Sequence, residues 1–474
     1  MTKELWRLGA LDLAGRIAAK ELSSREVIDA HLARIEAVNP AVNAATVTLA
    51  DEAMAAAAAA DQAIAAGRSL GRLHGVPFTV KENLDVQGSP TTAGVAALRD
   101  NVAPADAVVV ARLRSAGAIP IARTNLPDFA LRFHTDNALH GATVNPWNPR
   151  LTPGGSSGGE AVALATGMSP LGLGNDLAGS LRMPAQCTGV CGLKPSRGRV
   201  PWWNATDLAG PPLVVQLMAV NGPMARSVQD LRAALAVISG SDPRDPWSVP
   251  LPAEVAAHPG TGPQAVAVIA EPEGGPTHPD VAASVRRAAG ALAEAGYKVR
   301  EVNPPPIAAA FETWSQLLWT QLNILWPVME ALVSPGARTV LEHCFARWPA
   351  LASDQLSLAW TERLKLARAW TEFQVDCPLV LGPVSTQPPF EVGFDIQGAD
   401  EAAETMRRHR LLTIANLVGL PSVAVPTGVV DGVPQGVQLI GPYLGDELCL
   451  TAATAIEQRL ATFTPIDPVT SSRP

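Results

Sequence analysis

Two serine-bearing, glycine-rich turns lie in the stretch Thr152–Pro195, which contains ten glycines, four serines and only four charged residues. Ser156 lies in the turn Gly154–Gly159, and Ser180 ends a second turn that begins at Asp176. Glycine at this density indicates backbone in conformations that a Cβ would forbid, or backbone close to a ligand. Successive N–H groups in such turns can hold an anion. Ser180 is therefore a candidate nucleophile that would share its loop with an oxyanion hole.

Lys81 is the candidate base for such a serine. It follows the alternating apolar residues Val76, Phe78 and Val80, which predict a strand that ends at Lys81. A lysine at a strand end is usually a solvated charge, but burial would disfavour its ammonium form and lower its pKa towards that of a working base. A neutral lysine can accept a proton through one intervening hydroxyl group, and serine needs such a relay to become a good nucleophile.

Two other interpretations of the glycine-rich stretch have less support. A Gly/Ser linker would lack the apolar blocks AVALA, LGLG and VCGL that interrupt the stretch. The pattern Gly154-x-Ser156-x-Gly158 matches the nucleophile elbow of α/β-hydrolases, but NPWNP precedes it where that elbow requires an apolar strand. Only His409 lies beyond residue 343 as a late catalytic base, so a Ser-His-Asp triad is disfavoured.

The composition is that of a globular protein. The chain has 474 residues, 47% of them apolar and 17% charged, with a net charge of −8 and no basic run, so nucleic acid is not an expected partner. No stretch reaches 18 apolar residues and the first residues lack a signal-peptide pattern, so we expect no membrane span and a cytoplasmic location. Five scattered cysteines indicate free thiols, and we expect no metal and no cofactor.

The elements that must position these residues alternate between helices and strands. Helices are predicted from residue 23, where a capping box begins, to Asn39-Pro40, and then at 45–67, 106–116, 160–166, 228–237, 280–295, 402–417 and 445–460. Strands are predicted at 76–81, 118–123, 170–174, 265–270, 298–302, 375–381, 422–430 and 436–440, with Asp431-Gly432 in the hairpin turn between the last two. This alternation favours an α/β layered fold.

Two segments stand apart from this alternation. Residues 308–373 are predicted to be helical and contain six of the eleven tryptophans. Tryptophans of this kind usually form core, and a lid or pocket wall for bulky apolar substrates is the alternative. Residues 241–263 are dense in proline and glycine and are predicted to form an irregular surface segment.

Long motifs along the chain carry a family resemblance. They are LHGVPFTVKENLDV, RTNLPDFA, NPWNP, GGSSGG, the D-x-x-G-S turn that runs into RMP and CGLKP, GPMARSVQDL, GLPSVAVPTG and GVQLIGP. Together they resemble the amidase signature family over almost the whole chain. The resemblance implies one large α/β domain over residues 1–474, with a central mixed twisted β-sheet covered by helices on both faces. Within it we expect N-terminal helices at 1–70, the catalytic core at 71–240, the tryptophan-rich segment at 305–375 and the rest of the core at 376–474.

The resemblance also implies a Ser–cis-Ser–Lys triad. By position, Ser180 would be the nucleophile, Ser156 the bridging serine after a cis peptide bond from Gly155, and Lys81 the base. Backbone N–H groups would hold the oxyanion of an acyl-transfer intermediate, and three further side chains would support the loops. The oxyanion residues would be Leu177, Ala178, Gly179 and Ser180, and the supporting residues Ser157, Asp176 and Arg182.

Two departures from the family pattern bear on this assignment. Ala178 stands where the family usually has glycine, and a positive φ at that position would strain alanine by roughly 1 kcal/mol. Gly382-Pro383-Val384 stands where many relatives have Thr-Pro-Thr, so a threonine contact there is in doubt.

Apolar residues dominate the positions that would touch a substrate. By position in the family pattern these are Phe129, Leu131, Phe133, Gly155 and Met183, with Trp202 and Trp203 further along the chain. They favour a hydrophobic or aromatic amide, anilide or ester, with carbamates as an extension. The glutaminase component of a tRNA-dependent amidotransferase and a non-enzymatic scaffold are the alternatives, and a homodimer is left open.

Overall fold

The structure is a computed structural model and describes residues 4–68, 71–207, 210–251, 264–460 and 463–469. Eleven strands form one mixed sheet in the order β1-β3-β2-β4-β6-β5-β10-β11-β9-β7-β8. The strands are β1 Ala45–Thr48, β2 Pro77–Lys81, β3 Ile119–Thr124, β4 Leu171–Asp176, β5 Cys191–Lys194, β6 Val220–Ala225, β7 Ala265–Val268, β8 Lys298–Glu301, β9 Leu379–Pro383, β10 Ser422–Val430 and β11 Val433–Ile440. The predicted α/β fold with a mixed central sheet is confirmed.

Fifteen α-helices are found in the described ranges. They are α1 Ala10–Ala18, α2 Ser24–Val42, α3 Ala50–Ala65, α4 Val108–Ser115, α5 Gly158–Ala165, α6 Arg182–Thr188, α7 Leu213–Met218, α8 Val228–Ile238, α9 Pro279–Glu294, α10 Ile307–Met329, α11 Pro335–Arg347, α12 Ser353–Asp376, α13 Ala399–Arg407, α14 Arg410–Val418 and α15 Asp446–Glu457. The tryptophan-rich segment therefore consists of α10, α11 and α12.

Two large apolar cores lie on opposite faces of the sheet, because successive strand residues point to opposite sides, and a third, smaller core is formed by residues of α2, α3, β3 and α5. In β9, Leu379 and Leu381 belong to one core and Val380 to the other. Helices α1, α4, α8, α9 and α15 pack in the first core, and α5, α6, α10, α11 and α14 in the second. The sheet is thus covered by helices on both faces.

Parallel pairing aligns the strand ends that matter for the site. Strand β2 pairs in parallel with both β3 and β4, so the carboxyl ends of the three strands lie at one edge. In the β2–β3 register, Lys81 lies opposite Thr124. Strand β2 ends at Lys81 as predicted. The predicted β10–β11 hairpin is also confirmed, with Asp431 and Gly432 at φ values of 50° and 75°, as a type I′ turn requires.

The predicted single helix over residues 45–67 is wrong at its beginning. Residues Ala45–Thr48 form β1, which pairs antiparallel with β3, and the helix begins only at Ala50. Helix α2 also runs past the predicted stop at Asn39-Pro40 and ends at Val42. There Asn43 caps the helix in a left-handed conformation, and its N–H donates to the Asn39 carbonyl.

Two predictions near the C-terminus are also wrong in detail. Val375 belongs to α12 and not to a strand, because the helix continues to Asp376. It ends there because the next residue, Cys377, precedes Pro378, and a residue before proline is disfavoured in the helical region. The predicted helix 402–417 is two helices, α13 and α14, which are interrupted at His409 with φ −101° and ψ 16°. Of the predicted irregular segment, residues 252–263 lie outside the described residues.

Candidate active site

The three residues proposed from the sequence lie at adjoining strand ends. Lys81 is the last residue of β2, and Ser180 lies in the loop between β4 and α6. Ser156 lies in the loop that leads into α5, and α5 packs against both β2 and β4. The parallel pairing of β2 with β4 therefore brings chain positions 81, 156 and 180 to one edge of the sheet.

The Lys81 amine is fully buried and contacts two polar side chains. Its Nζ donates hydrogen bonds to Ser156 Oγ at 2.7 Å and to Asn175 Oδ1 at 2.8 Å. Burial lowers the pKa of Lys81 to about 7, against the opposing pull of the Asp176 and Glu160 carboxyl groups. A large fraction of this lysine is therefore neutral near neutral pH, as a proton acceptor must be.

The loop that carries Ser156 has an unusual backbone. The Gly155–Ser156 peptide bond is cis, and Gly154 has φ +87°. A Cβ at Gly155 would overlap with the Arg132 carbonyl oxygen, and one at Gly154 would overlap with Pro184 and Met183. These glycines therefore allow the loop to pass close to its neighbours.

Ser180 is buried, with 6% of its surface exposed, and lies on the wall of an apolar pocket. Among the described residues, its hydroxyl group makes no hydrogen bond to Ser156. The two loops are joined instead by Ser157, whose N–H donates to the Ser180 carbonyl at 3.2 Å. The Ser157 hydroxyl is buried and has no partner within the described chain, so its backbone, and not its side chain, links the loops.

A buried ion pair fixes the loop of Ser180 from behind. Arg182 Nη2 lies 3.0 Å from Asp176 Oδ1, and both side chains are fully buried. Burial alone would raise the pKa of Asp176, but the Arg182 guanidinium and hydrogen bonds from Arg182 and Asn416 lower it to about 2. Arg182 also donates to the Leu412 carbonyl, to Asn416 and to Gln438, so distant parts of the chain hold this loop.

The predicted oxyanion hole needs one correction. The Gly179 N–H donates to Asp176 Oδ1 at 2.7 Å, so that amide is already occupied. The amides of Leu177, Ala178 and Ser180 have no acceptor among the described residues, and the oxyanion proposal now depends on these three. The condition for strain at Ala178 is not met, because its φ is not positive. The left-handed position is Gly179, with φ +101° and no room for a Cβ beside Leu412.

The pocket that ends at Ser180 is mostly apolar and aromatic. Its other lining residues are Ala130, Leu131, Arg132, Phe133, Leu177, Ala178, Trp314, Leu318, Trp319 and Met406. Of the predicted substrate contacts, Leu131 and Phe133 line this pocket. Phe129, Gly155 and Met183 do not: Phe129 packs against the second core, and the Met183 sulfur lies 3.8 Å from Cys187 Sγ in the interior.

The tryptophan-rich segment provides both core and pocket wall. Trp314, Trp348 and Trp370 are fully buried, and Trp314 and Trp319 of α10 also line the pocket beside Ser180. Trp202 and Trp203 lie elsewhere, in a separate cavity with Arg197, Arg244 and Trp247. These two tryptophans, which the sequence placed among the apolar residues that could touch a substrate, do not line the pocket beside Ser180.

Sequence reasoning missed several side chains around Lys81 and Ser180. Asn175 accepts a hydrogen bond from Lys81, and its Nδ2 donates one to Asn83 Oδ1 at 2.9 Å. It directly precedes the predicted turn that begins at Asp176 but was not itself predicted. His409 stacks on Phe133 with a ring-centroid distance of 4.3 Å and joins the pocket wall to α14. At Gly382-Pro383-Val384, where many relatives have Thr-Pro-Thr, the Pro383 carbonyl accepts a hydrogen bond from Gln438 Nε2 at 3.0 Å. Only the three-dimensional register brings these groups to the site.

Comparison with known proteins decides the family. The pattern of the amidase family matches residues 26–450. The chain belongs to the amidase signature family. An indoleacetamide hydrolase of Bradyrhizobium diazoefficiens is 42% identical over 460 residues, which cover 96% of this chain and 87% of that protein. One component of the glutamyl-tRNA(Gln) amidotransferase of Salinispora arenicola is 33% identical, and the match covers 98% of this chain and 99% of that protein.

A solved structure agrees with this family assignment. A bacterial aryl acylamidase of the amidase signature family superposes with a TM-score of 0.81 and 26% identity over 95% of this chain and 96% of that one. The chain is thus an enzyme that hydrolyses amides. In the described ranges, no cluster of His, Cys, Asp or Glu side chains could hold a metal ion, and no helix has the length and apolarity of a membrane span.

Proposed function

We propose that this enzyme hydrolyses small aryl-substituted amides of the arylacetamide type through an acyl-enzyme on Ser180. The observation that carries the proposal is the buried Lys81 amine, hydrogen-bonded to Ser156 at 2.7 Å, beside an apolar pocket that ends at Ser180. A buried amine with a pKa near 7 is suited to accept a proton. The pocket has a cavity volume of about 40 Å³ and an apolar lining, which matches the character of an aryl acyl group, and its walls would have to move apart to admit one.

The proposed reaction moves one proton along two hydroxyl groups. Neutral Lys81 accepts the Ser156 proton while Ser156 accepts that of Ser180, whose oxygen attacks the amide carbon. The free amides of Leu177, Ala178 and Ser180 would stabilise the oxyanion, each by on the order of 3 kcal/mol. The relay then returns the proton to the leaving amine, the C–N bond breaks, and water releases the acid by the same route. For the first transfer the Ser180 hydroxyl must turn towards Ser156, to which it makes no hydrogen bond in the described part of the chain.

Apolar pocket walls support the choice of substrate. Leu131, Phe133, Trp314, Trp319 and Met406 present aliphatic and aromatic surface to the space beside Ser180. Among the described lining residues Arg132 is the only charged one, and its Nε lies 2.6 Å from Asp395 Oδ2, so it is already paired. The names of two relatives, indoleacetamide hydrolase and aryl acylamidase, point to the same class of acyl or aryl group. Esters and carbamates present a similar carbonyl to the same serine, and we include them as secondary substrates.

The glutaminase component of an amidotransferase remains a second candidate, because a relative with an amidotransferase name matches the full chain at 33% identity. Its glutamine substrate would need polar partners for an amide, an ammonium and a carboxylate group. The described pocket offers Arg132 alone, and Asp395 already neutralises it. The apolar wall therefore favours the independent hydrolase.

A substrate panel with purified protein tests the proposal. Indole-3-acetamide, phenylacetamide, an apolar 4-nitroanilide, an ester, a carbamate and glutamine would be compared for wild type and Ser180→Ala. We expect turnover of the aryl amides by the isolated chain, and its loss by at least a thousandfold in Ser180→Ala. Glutamine hydrolysis only with the other amidotransferase components present would overturn the proposal in favour of the second candidate.

Two further properties are part of the proposal. We propose a cytoplasmic location, because all five cysteines are unpaired and buried, as is usual in a reducing compartment. Cell fractionation would check this. The homodimer left open by the sequence stays a prediction, and light scattering of the purified protein would decide it.

A further inference from the structure

The cavity that contains Trp202 and Trp203 is separate from the pocket beside Ser180 and larger than it. Its volume is about 260 Å³, against about 40 Å³ for the pocket, and the two have no described lining residue in common. In another protein a cavity of about 150 Å³ is enough to bind benzene, so this one has room for an aromatic ring with a short side chain.

Three tryptophans from two segments give this cavity aromatic walls. Trp202 and Trp203 follow β5, and Trp247 comes from the segment after α8. The buried Asp245 joins the two segments, because its carboxylate accepts hydrogen bonds from the backbone N–H groups of Trp202 and Trp247, both at 2.9 Å. Trp247 is 46% exposed, so the cavity is open to solvent on that side. Rings held in this way before a ligand arrives suit a planar aromatic group.

Arg197 brings a positive charge to the cavity that no described carboxylate neutralises in an ion pair. Its Nε donates to the Gln216 carbonyl at 3.3 Å, and its two Nη groups have no hydrogen-bond partner among the described residues. Its guanidinium carbon lies 4.8 Å from the centre of the Trp247 ring. Arg244, the other arginine of the wall, differs because it pairs with Asp242 at 2.8 Å. Arg197 therefore remains available to an anion.

Two carboxyl groups of the wall leave this positive charge available. Asp245 already accepts from two backbone amides and lies beyond ion-pair distance of Arg197. Asp207 is exposed to solvent and forms no ion pair within the described chain. A ligand that carries a carboxylate next to an aromatic ring would therefore find both of its partners here, a guanidinium and indole faces.

Hydrogen bonds connect the cavity wall to the base of the proposed reaction. Asn204 lines the cavity, and its Nδ2 donates to the Asn83 carbonyl at 3.1 Å. The side chain of Asn83 accepts from Asn175, which accepts in turn from Lys81. An acid formed at Ser180 would therefore arise close to this cavity.

We propose that this cavity is a second binding site, whose ligand is an aryl carboxylate. The aromatic ring lies among the three tryptophans, and the carboxylate pairs with the guanidinium of Arg197, which has the fork geometry for two parallel hydrogen bonds. The inference stands on the residues of the cavity. Only the choice of indole-3-acetate as the probe rests on the proposed function, since that acid is the product expected from indole-3-acetamide.

Titration calorimetry of the full chain with indole-3-acetate tests the inference. Arg197→Met removes the charged partner of the carboxylate, so we expect binding to weaken by about tenfold or more. The matched control is Arg286→Met, which removes an exposed arginine from an ion pair elsewhere and should leave the Kd unchanged. Indole lacks the carboxylate and acetate lacks the ring, so each should bind more weakly than the whole acid by a similar factor. Absence of binding to wild type overturns the inference.

Photolabelling of wild type locates the ligand even if Arg197→Met does not fold. The probe is 4-azidophenylacetate, an aryl carboxylate that forms a covalent bond to its surroundings under light, and mass spectrometry identifies the labelled residues. We expect label on Trp202, Trp203 or Trp247, and its loss when indole-3-acetate is in excess. Label confined to the residues beside Ser180, or an unchanged Kd in folded Arg197→Met, overturns the inference.

The outcome is distinguishable from that of the proposed function, because neither measurement needs turnover. If wild type hydrolyses no aryl amide, the proposed function fails, and the calorimetry and the labelling still decide whether the second site exists. If wild type hydrolyses aryl amides but binds the acid only beside Ser180, the second site fails and the proposed function stands.

Discussion

At the scale of the single residue, the proton affinity of Lys81 follows from what surrounds its amine. The apolar alternation of β2 buries the side chain, and burial is the largest influence on its pKa. Two acceptors, Ser156 and Asn175, satisfy the amine without adding negative charge. Burial by the strand and contact with two uncharged partners therefore together favour the neutral form of Lys81.

The first prediction concerns pH. Because the amine must be neutral to accept a proton, kcat/KM should fall about tenfold per unit as pH drops below about 7, the pKa of Lys81. Above that pH the rate should reach a plateau. Initial rates with an aryl amide over the acidic and neutral range would measure the limb. A profile that is flat down to pH 5 would contradict the role of Lys81.

Asn175 should set the direction of the lysine hydrogen bonds. Its Nδ2 donates to Asn83, so its Oδ1 faces Lys81 and can only accept. Lys81 must therefore donate to Asn175, and the hydrogen bond that reverses when the neutral amine accepts a proton is the one to Ser156. In Asn175→Asp the new carboxylate would stabilise the ammonium, and the acidic limb should move up by about one unit or more. The same pH profile checks this, and an unmoved limb would refute it.

At the scale of the element, loops carry the chemistry and strands determine which loops meet. The motifs pointed to Lys81, Ser156 and Ser180 as candidates because glycine and serine turns are visible locally, and the structure brings their three chain positions to one edge of the sheet. Asn175 was not predicted, since its contact with Lys81 depends on the register of β2 with β4. The strand β1 was missed for a similar reason: its alanine-rich surroundings favour helix, and only pairing with β3 makes Ala45–Thr48 extended.

The loop that carries Ser180 offers a matched pair of substitutions. Gly179→Ala places a Cβ at φ +101° and against Leu412, so it should destabilise the loop by roughly 1–2 kcal/mol or more and reduce kcat strongly. Ala178→Gly changes the neighbouring residue, whose φ is not positive, and should leave kcat within a few-fold of wild type. Denaturant unfolding and steady-state kinetics would measure both. Equal effects of the two changes would contradict this backbone assignment.

Helix α10 should determine preference for aryl substrates through Trp319. Trp319→Leu removes an aromatic wall and should lower kcat/KM for indole-3-acetamide by about tenfold or more, while a short alkyl amide changes little. Leu358→Ala on α12 is the control, because Leu358 is 68% exposed. Equal losses for aryl and alkyl amides would mean that Trp319 only stabilises the fold.

At the scale of the whole molecule, one continuous sheet joins the site to the C-terminal part of the chain. Arg182 of α6 contacts Leu412 and Asn416 of α14 and Gln438 of β11, more than 200 residues away. We propose that the chain is a single domain for this reason. The fold class and the large motifs could be predicted from the sequence. These long-range contacts could not, because nothing local to Arg182 identifies its partners.

Removal of Arg182 should therefore affect global stability. Arg182→Met leaves the Asp176 carboxylate buried without its counterion, which should cost about 3–5 kcal/mol of unfolding free energy. Arg286→Met breaks an ion pair with Glu271 in which both side chains are more than half exposed, and should cost less than about 1 kcal/mol. Chemical denaturation would compare the two. Similar small losses would show that the buried pair contributes little.

All five cysteines are unpaired and lie in the interior. Burial raises the pKa of the Cys187 and Cys344 thiols, so little thiolate is present in the folded protein. A maleimide reagent can therefore label these sulfurs only when the surrounding helices separate from the sheet. The rate of labelling therefore measures how often the two cores open, and the order in which the five cysteines react would show which core opens first.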